Sequence, residues 1–136
     1  MRETIATTNA PQAIGPYSQG ISYGDMIFCS GQIPLKPETM TLNQDSIEVA
    51  TEQCILNLKA VLEEAGSSLD KTIKINIFVT DMGNFKQVNE VYAKFFGESK
   101  PARACVEVSA LPAGACVEVS ALPAGAIIEM DAIGYR

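Results

Sequence analysis

The side chains able to do chemistry in this chain are defined first by an absence: it contains no histidine. Without imidazole the commonest general base is gone, together with Ser-His and Cys-His nucleophile pairs and most catalytic zinc sites. Carboxylate, guanidinium, amine, phenol, thiol, backbone and water remain. One stretch concentrates them. Residues 104–114 read ACVEVSALPAG, residues 115–125 repeat the same eleven letters, and the chain closes with AIIEMDAIGYR. Arg103 stands directly before the first copy, a cation set against an apolar strand pattern, and Glu107, Glu118 and Glu129 follow in similar strand phase. Function turns on which glutamate faces Arg103. The bland alternatives are a surface or interface salt bridge for Arg103 and solvated strand positions for the glutamates.

Three further places could line a site. Tyr17 follows Pro16 in the loop APQAIGPYSQG, so a stiff backbone sets its direction; packing on the core edge explains it equally well. Ser30-Gly31 ends a strand pattern, where glycine lets a ligand or another backbone approach, although an ordinary terminating turn also fits. Asn89 sits just off the apolar stripe of a helical segment. Its poor helix propensity asks for a tertiary or ligand contact.

These residues must be held by local elements that the pattern predicts. Thr4 to Thr8 reads as a short strand, and Ile21–Tyr23 and Met26–Ser30 flank Gly24-Asp25 as a tight hairpin. Residues 34–44 form a loop. Asp45 with Glu48 resembles a capping box, and Ile47, Ala50, Cys54, Leu58, Val61, Leu62 and Ala65 recur at helical spacing up to Gly66. Lys71 to Thr80 alternates, with Ile73, Ile75, Ile77 and Val79 assigned to one face. Asn84 is placed to cap a second helix carrying Phe85, Val88, Tyr92, Phe95 and Phe96 before Gly97. Lys100-Pro101 forces an extended backbone, and strand pattern resumes at Arg103. This order predicts an α+β sheet with both helices laid on one face.

Composition narrows the function classes. A chain of 136 residues is most simply one domain, residues 1–136, with an ordinary core. The net charge of −6 and the lack of a Lys/Arg cluster speak against nucleic-acid binding. The four cysteines, Cys29, Cys54, Cys105 and Cys116, form no Cys-x-x-Cys pair and read as buried, reduced thiols rather than metal ligands. No signal-peptide pattern opens the chain, and no apolar run approaches the ~18 residues of a membrane span, so a cytoplasmic location is expected.

Five stretches in order, AIGPYSQG (13–20), CSGQIP (29–34), NLKAVLEEAG (57–66), VNEVYAKFF (88–96) and PARACVEV (101–108), resemble the Rid family. These are the YjgF-type reactive-intermediate deaminases, formerly described as translation inhibitors or endoribonuclease L-PSP. Only the second repeat copy lacks a counterpart. The resemblance implies a chorismate-mutase-like α+β fold, mostly antiparallel, assembled as a homotrimer with ligand sites in clefts between subunits. It implies hydrolysis of 2-imino or 2-enamino acids, products of pyridoxal-phosphate enzymes, to 2-keto acids and ammonia. No cofactor and no metal is needed, and neither nucleic acid nor membrane is a partner. Carried over by position, Arg103 would clamp the substrate carboxylate, and Tyr17, Ser30, Gly31, Asn89 and Cys105 would line the site, Cys105 through its backbone.

The same resemblance requires an acid on the strand after the Leu-Pro turn, and the repeat splits that assignment. Glu118 has the family's separation from Arg103, whereas Glu129 has the right downstream context in AIIEMDAIGYR. Glu129 is preferred, because an extra unit between two strands is tolerated at small entropic cost. Two other functions stay open at this point. One is a non-catalytic metabolite-binding regulator or interaction protein using the same clefts; the other is the ribonuclease of the older family name.

Overall fold

The computed structural model describes residues 1–111 and 125–136. Among the described residues six strands build one sheet: β1 (Arg2–Ile5), β2 (Gly20–Tyr23), β3 (Met26–Gln32), β4 (Thr72–Val79), β5 (Ala102–Glu107) and β6 (Ile128–Tyr135). Their spatial order is β1-β2-β3-β6-β4-β5. All neighbours are antiparallel except β4 and β5, which run parallel because a helix crosses between them. The helices are α1 (Ile47–Glu64) and α2 (Phe85–Phe96). The expected α+β architecture, mostly antiparallel with two helices, is the one found.

The hairpin turns at Gly24, whose φ of +60° suits a tight two-residue connection. Helix α1 stops at Gly66, where φ is +82° and the following amide, that of Ser67, donates back to the Leu62 carbonyl. Alternate residues of β4, Ile75, Ile77 and Val79, pack with Cys54, Leu58, Val61 and Leu62 of α1 and Val88, Tyr92 and Phe96 of α2. From β6, Ile128, Met130 and Ala132 join them. One sheet face therefore lies under the helices. The other face carries Phe28, exposed on β3, and the partly exposed Asp131 of β6.

Local expectations shift in four places. The first strand is Arg2–Ile5 rather than Thr4–Thr8, because Thr7 is drawn into the loop by the buried Gln19. The cap of α1 is Ser46, not Asp45: its Oγ accepts from the Val49 amide at 3.1 Å, which sets the helix start one residue later. Ile73 is exposed instead of sharing the face of Ile75, because the β4–β6 register slips between Thr72 and Lys74 and turns Ile73 outward. Helix α2 does start after Asn84, but no Asn84 side-chain cap bond forms. The chain arrives through a 3₁₀ turn, Met82–Asn84, capped by Asp81 through the Gly83 amide.

Candidate active site

Arg103 owes its setting to the β4–α2–β5 crossover. Parallel register pairs Arg103 with Ile75, and in-register neighbours share a sheet face, so its side chain rises beside α2. There Nη1 donates to Asn89 Oδ1 at 2.6 Å. The guanidinium carbon lies 4.8 Å from the ring centre of Tyr92 and 5.6 Å from that of Phe85. Phe85, Asn89 and Tyr92 are four and three residues apart, the spacing of a single helical face. The tertiary contact that Asn89 asked for is thus a hydrogen bond to Arg103. No carboxylate pairs with the guanidinium among the described residues. A cavity of about 430 Å³ opens beside it, lined by Asn89, Tyr92, Phe96, Lys100 and Pro101 as well as Arg103.

Cys105 lies two residues further along β5, level with Ile77, half-buried against the core. Burial pushes its thiol up, and Arg103 partly opposes that shift. A protonated, packed thiol is a poor nucleophile, which agrees with a lining role. Cys29 and Cys54 are buried; desolvation, followed by Asp131, pushes Cys29 up to about 12, and burial raises Cys54 well above its usual value.

Of the remaining expected residues, Gly31 lies against Glu129, Ser30 is the chain neighbour of Gly31, and Tyr17 sits in the loop bonded to Ser30. The Glu129 side chain lies flat over Gly31, so close that a Cβ there would fall 2.0 Å from Oε1. Glycine at 31 leaves room for the Glu129 carboxylate as it lies here, and no positive φ is involved. Ser30 donates through Oγ to the Ser18 carbonyl, and its amide donates to the Gln19 carbonyl, which ties β3 to the loop carrying Tyr17. That loop is shaped by Gln19, which the sequence analysis did not single out. Its Nε2 donates to the carbonyls of Thr7, Ala10 and Pro11, and its Oε1 accepts from the Thr7 amide. Tyr17 is half-buried and lines a cavity of about 420 Å³ with Thr7, Gln12 and Ser18.

Burial, and after it the neighbouring Asp131, hold the Glu129 carboxyl above its ordinary value. Asp131 is itself raised by burial, while a 2.8 Å hydrogen bond from Asn76 and the charge of Lys74 pull it back down. A carboxyl of raised proton affinity can both take a proton from water and return it to a departing amine.

The two groups do not meet. Ile128 and Met130 point under the helices, so Glu129 between them points to the opposite face, level with Phe78 of β4. Arg103 belongs to the helix face at the sheet edge. Within one chain, neither Glu107 nor Glu129 pairs with Arg103. Glu107 does share the face of Arg103, but its Oε1 accepts from the Met82 amide at 2.7 Å and serves the turn before α2. Glu118 and Cys116 of the second repeat copy lie outside the described residues. Of the two expected acids, Glu129 is the one seen in a defined strand, and the expected residues fall into two groups, two candidate half-sites. Ser30 and Gly31 lie with Glu129, next to the loop that carries Tyr17; Asn89 and Cys105 lie with Arg103, beside Phe85 and Tyr92.

The sequence pattern of the family described as endoribonuclease L-PSP matches residues 7–135. The chain belongs to that family. A RutC family protein from Pyrococcus horikoshii is 51% identical over 111 residues, 82% of this chain and 88% of the relative. The 2-iminobutanoate/2-iminopropanoate deaminase of Escherichia coli K12 is 46% identical over 114 residues, again 82% and 88%. The crystal structure of a protein of the conserved Rid family, YyfA from Yersinia pestis, superposes with a TM-score of 0.87 at 42% identity over the whole of both chains. The Rid (YjgF-type) assignment and its α+β fold thus stand on sequence and structure together.

Proposed function

We propose that this Rid-family protein hydrolyses small 2-imino acids, such as 2-iminobutanoate and 2-iminopropanoate, to 2-keto acids and ammonia. The observation that carries the reading is Arg103: a guanidinium held by Asn89 and two aromatic rings, with no carboxylate against it among the described residues. A planar fork held in that way suits a substrate carboxylate in two parallel hydrogen bonds. The relative that carries the deaminase name supports the choice of substrate.

The two half-sites sit on opposite faces, so the complete site forms where the Arg103 half of one copy meets the Glu129 half of another. A homotrimer closes three such contacts, and the clefts between its subunits take the ligand. In that cleft Arg103 orients the carboxylate, placing the adjacent C=N carbon toward Glu129. Glu129 takes a proton from water as its oxygen adds to that carbon, giving a tetrahedral amino alcohol. With the imine nitrogen protonated beforehand, Glu129 returns its proton to the amino nitrogen; the C–N bond then breaks as the O–H electrons form the carbonyl, the hydroxyl proton passes back to Glu129, and ammonia leaves with the keto acid behind. Imines hydrolyse readily unaided, so positioning and one proton relay are sufficient work for the site.

The test generates 2-iminobutanoate in situ with a pyridoxal-phosphate dehydratase and follows its loss. Arg103→Ala abolishes acceleration over buffer while the assembly persists. Unchanged turnover in that variant sinks the reading. Tight 2-keto acid binding without any acceleration by the wild type would instead favour a metabolite-binding regulator.

A further inference from the structure

The aromatic residues around Arg103 do more than fill the core. Tyr92 is 92% buried by its 8% exposure, packs against Phe96 with ring centres 4.7 Å apart, and is fixed in place. Its hydroxyl is buried with no hydrogen-bond partner among the described residues. The phenol oxygen therefore contributes nothing that holds the ring. What Tyr92 offers is its face, over which the Arg103 guanidinium sits at 4.8 Å, while Phe85 offers a second at 5.6 Å. A ring within about 6 Å attracts a cation through its quadrupole and restricts how the guanidinium plane can turn. Asn89 adds a fixed acceptor on Nη1. Arginine has five N–H donors, and those on Nε and Nη2 have no hydrogen-bond partner among the described residues.

We propose that Tyr92 and Phe85 are positioning residues that hold the Arg103 guanidinium as a preformed fork for the carboxylate of a 2-keto or 2-imino acid. This rests on Arg103 being the carboxylate anchor of the proposed function. A long, exposed arginine loses rotamer freedom when it grips an anion; here that freedom is given up on folding, before the ligand arrives. The rings act through Arg103 and not on the substrate. Replacing Tyr92 by an aliphatic side chain leaves the charge and the hydrogen bond but frees the plane. Carboxylate binding then weakens about five- to tenfold, the loss expected for one cation–ring contact.

The experiment measures calorimetric 2-ketobutyrate affinity and the kcat and KM of imine hydrolysis in wild type, Tyr92→Leu, Tyr92→Phe, Phe85→Leu and Arg103→Ala. Tyr92→Leu is expected to weaken ketobutyrate binding and raise KM more than it lowers kcat. Tyr92→Phe keeps the ring and restores the affinity; Phe85→Leu has the smaller effect because its ring is further away. A folded Tyr92→Leu that binds like wild type overturns the proposal, and so does a Tyr92→Phe as damaged as Tyr92→Leu. The Arg103 Hε resonance supplies a readout that needs no ligand. It lies upfield under the ring current in wild type and moves toward free arginine in Tyr92→Leu, or in Phe85→Leu should Tyr92→Leu not fold. An Hε shift already at the free-arginine position in wild type overturns the cradle. Arg103→Ala binding ketobutyrate as well as wild type removes the carboxylate anchor instead, and leaves the Hε result to decide the cradle alone.

Discussion

The Cβ that Gly31 lacks would fall 2.0 Å from Oε1 of Glu129, and 3.0 and 3.3 Å from its Cδ and Cγ. The clash involves Cβ itself, so no rotamer of a larger residue avoids it. The atom in the way is the far end of a flexible side chain, which can swing aside. Gly31→Ala is therefore expected to cost less than about 1 kcal/mol of stability while moving the carboxylate. A displaced acid of about 1 Å lowers imine turnover on the order of tenfold to a hundredfold. Thermal melting and turnover measured on the same preparation check this; loss of both together would mean that the strand, not the acid, was disturbed.

Arg103→Lys separates charge from geometry. Lysine keeps the cation near the ring of Tyr92 but has no planar fork and cannot bind a carboxylate through two parallel bonds. Ketobutyrate affinity is expected to fall about tenfold or more, with Arg103→Ala lower still. Equal affinity of the lysine variant and wild type would show that a point charge is sufficient.

The raised proton affinity of Glu129 gives stability a pH dependence of definite sign. Burial, then Asp131, lift its folded-state value above the ordinary 4.5, so the native state binds this proton more tightly than the unfolded chain. The stabilisation is complete below about 4.5 and is lost as pH rises through the raised folded value. Urea unfolding of wild type and Glu129→Gln across that window should show the wild type losing stability relative to the variant as pH increases. Parallel curves would contradict the assigned environment.

Gln19→Ala removes the acceptor for the Thr7 amide and the donor to the carbonyls of Thr7, Ala10 and Pro11. Leaving such groups unpaired costs roughly 1–3 kcal/mol. Denaturant midpoints should fall accordingly, and turnover with them, because Tyr17 and Ser18 belong to the same loop. A midpoint unchanged from wild type would show that water replaces the glutamine.

Ser46→Ala is expected to destabilise α1 by about 1 kcal/mol, whereas Asp45→Ala has a much smaller effect. The reverse ranking in chemical denaturation would restore the cap to Asp45.

What the sequence by itself determined about this protein is local in origin. Alternation marked β4, apolar periodicity marked both helices, and Gly24 and Gly66 marked a turn and a helix stop because those positions adopt φ above zero. Asn89 was recognisable as anomalous because a helix-interior asparagine needs a reason. Spacing could also have linked Phe85, Asn89 and Tyr92, yet two of the three read as ordinary core. The ordered motifs named the family, since a run of such motifs records a whole fold rather than any one contact.

Only the tertiary structure decided how the candidate site is divided. Alternation tells which residues of one strand share a face; it does not tell how that strand is mounted against another. The parallel register of β4 with β5 turns Arg103 toward α2, and the antiparallel register of β4 with β6 turns Glu129 away. Both registers join residues distant in sequence, and a slip of one residue would reverse either outcome. The slip between Thr72 and Lys74 is such an event, and it put Ile73 outside against its own pattern. Similarly, the space at Gly31 is filled by a carboxylate almost a hundred residues later, whose arrival over that position is a property of the sheet alone.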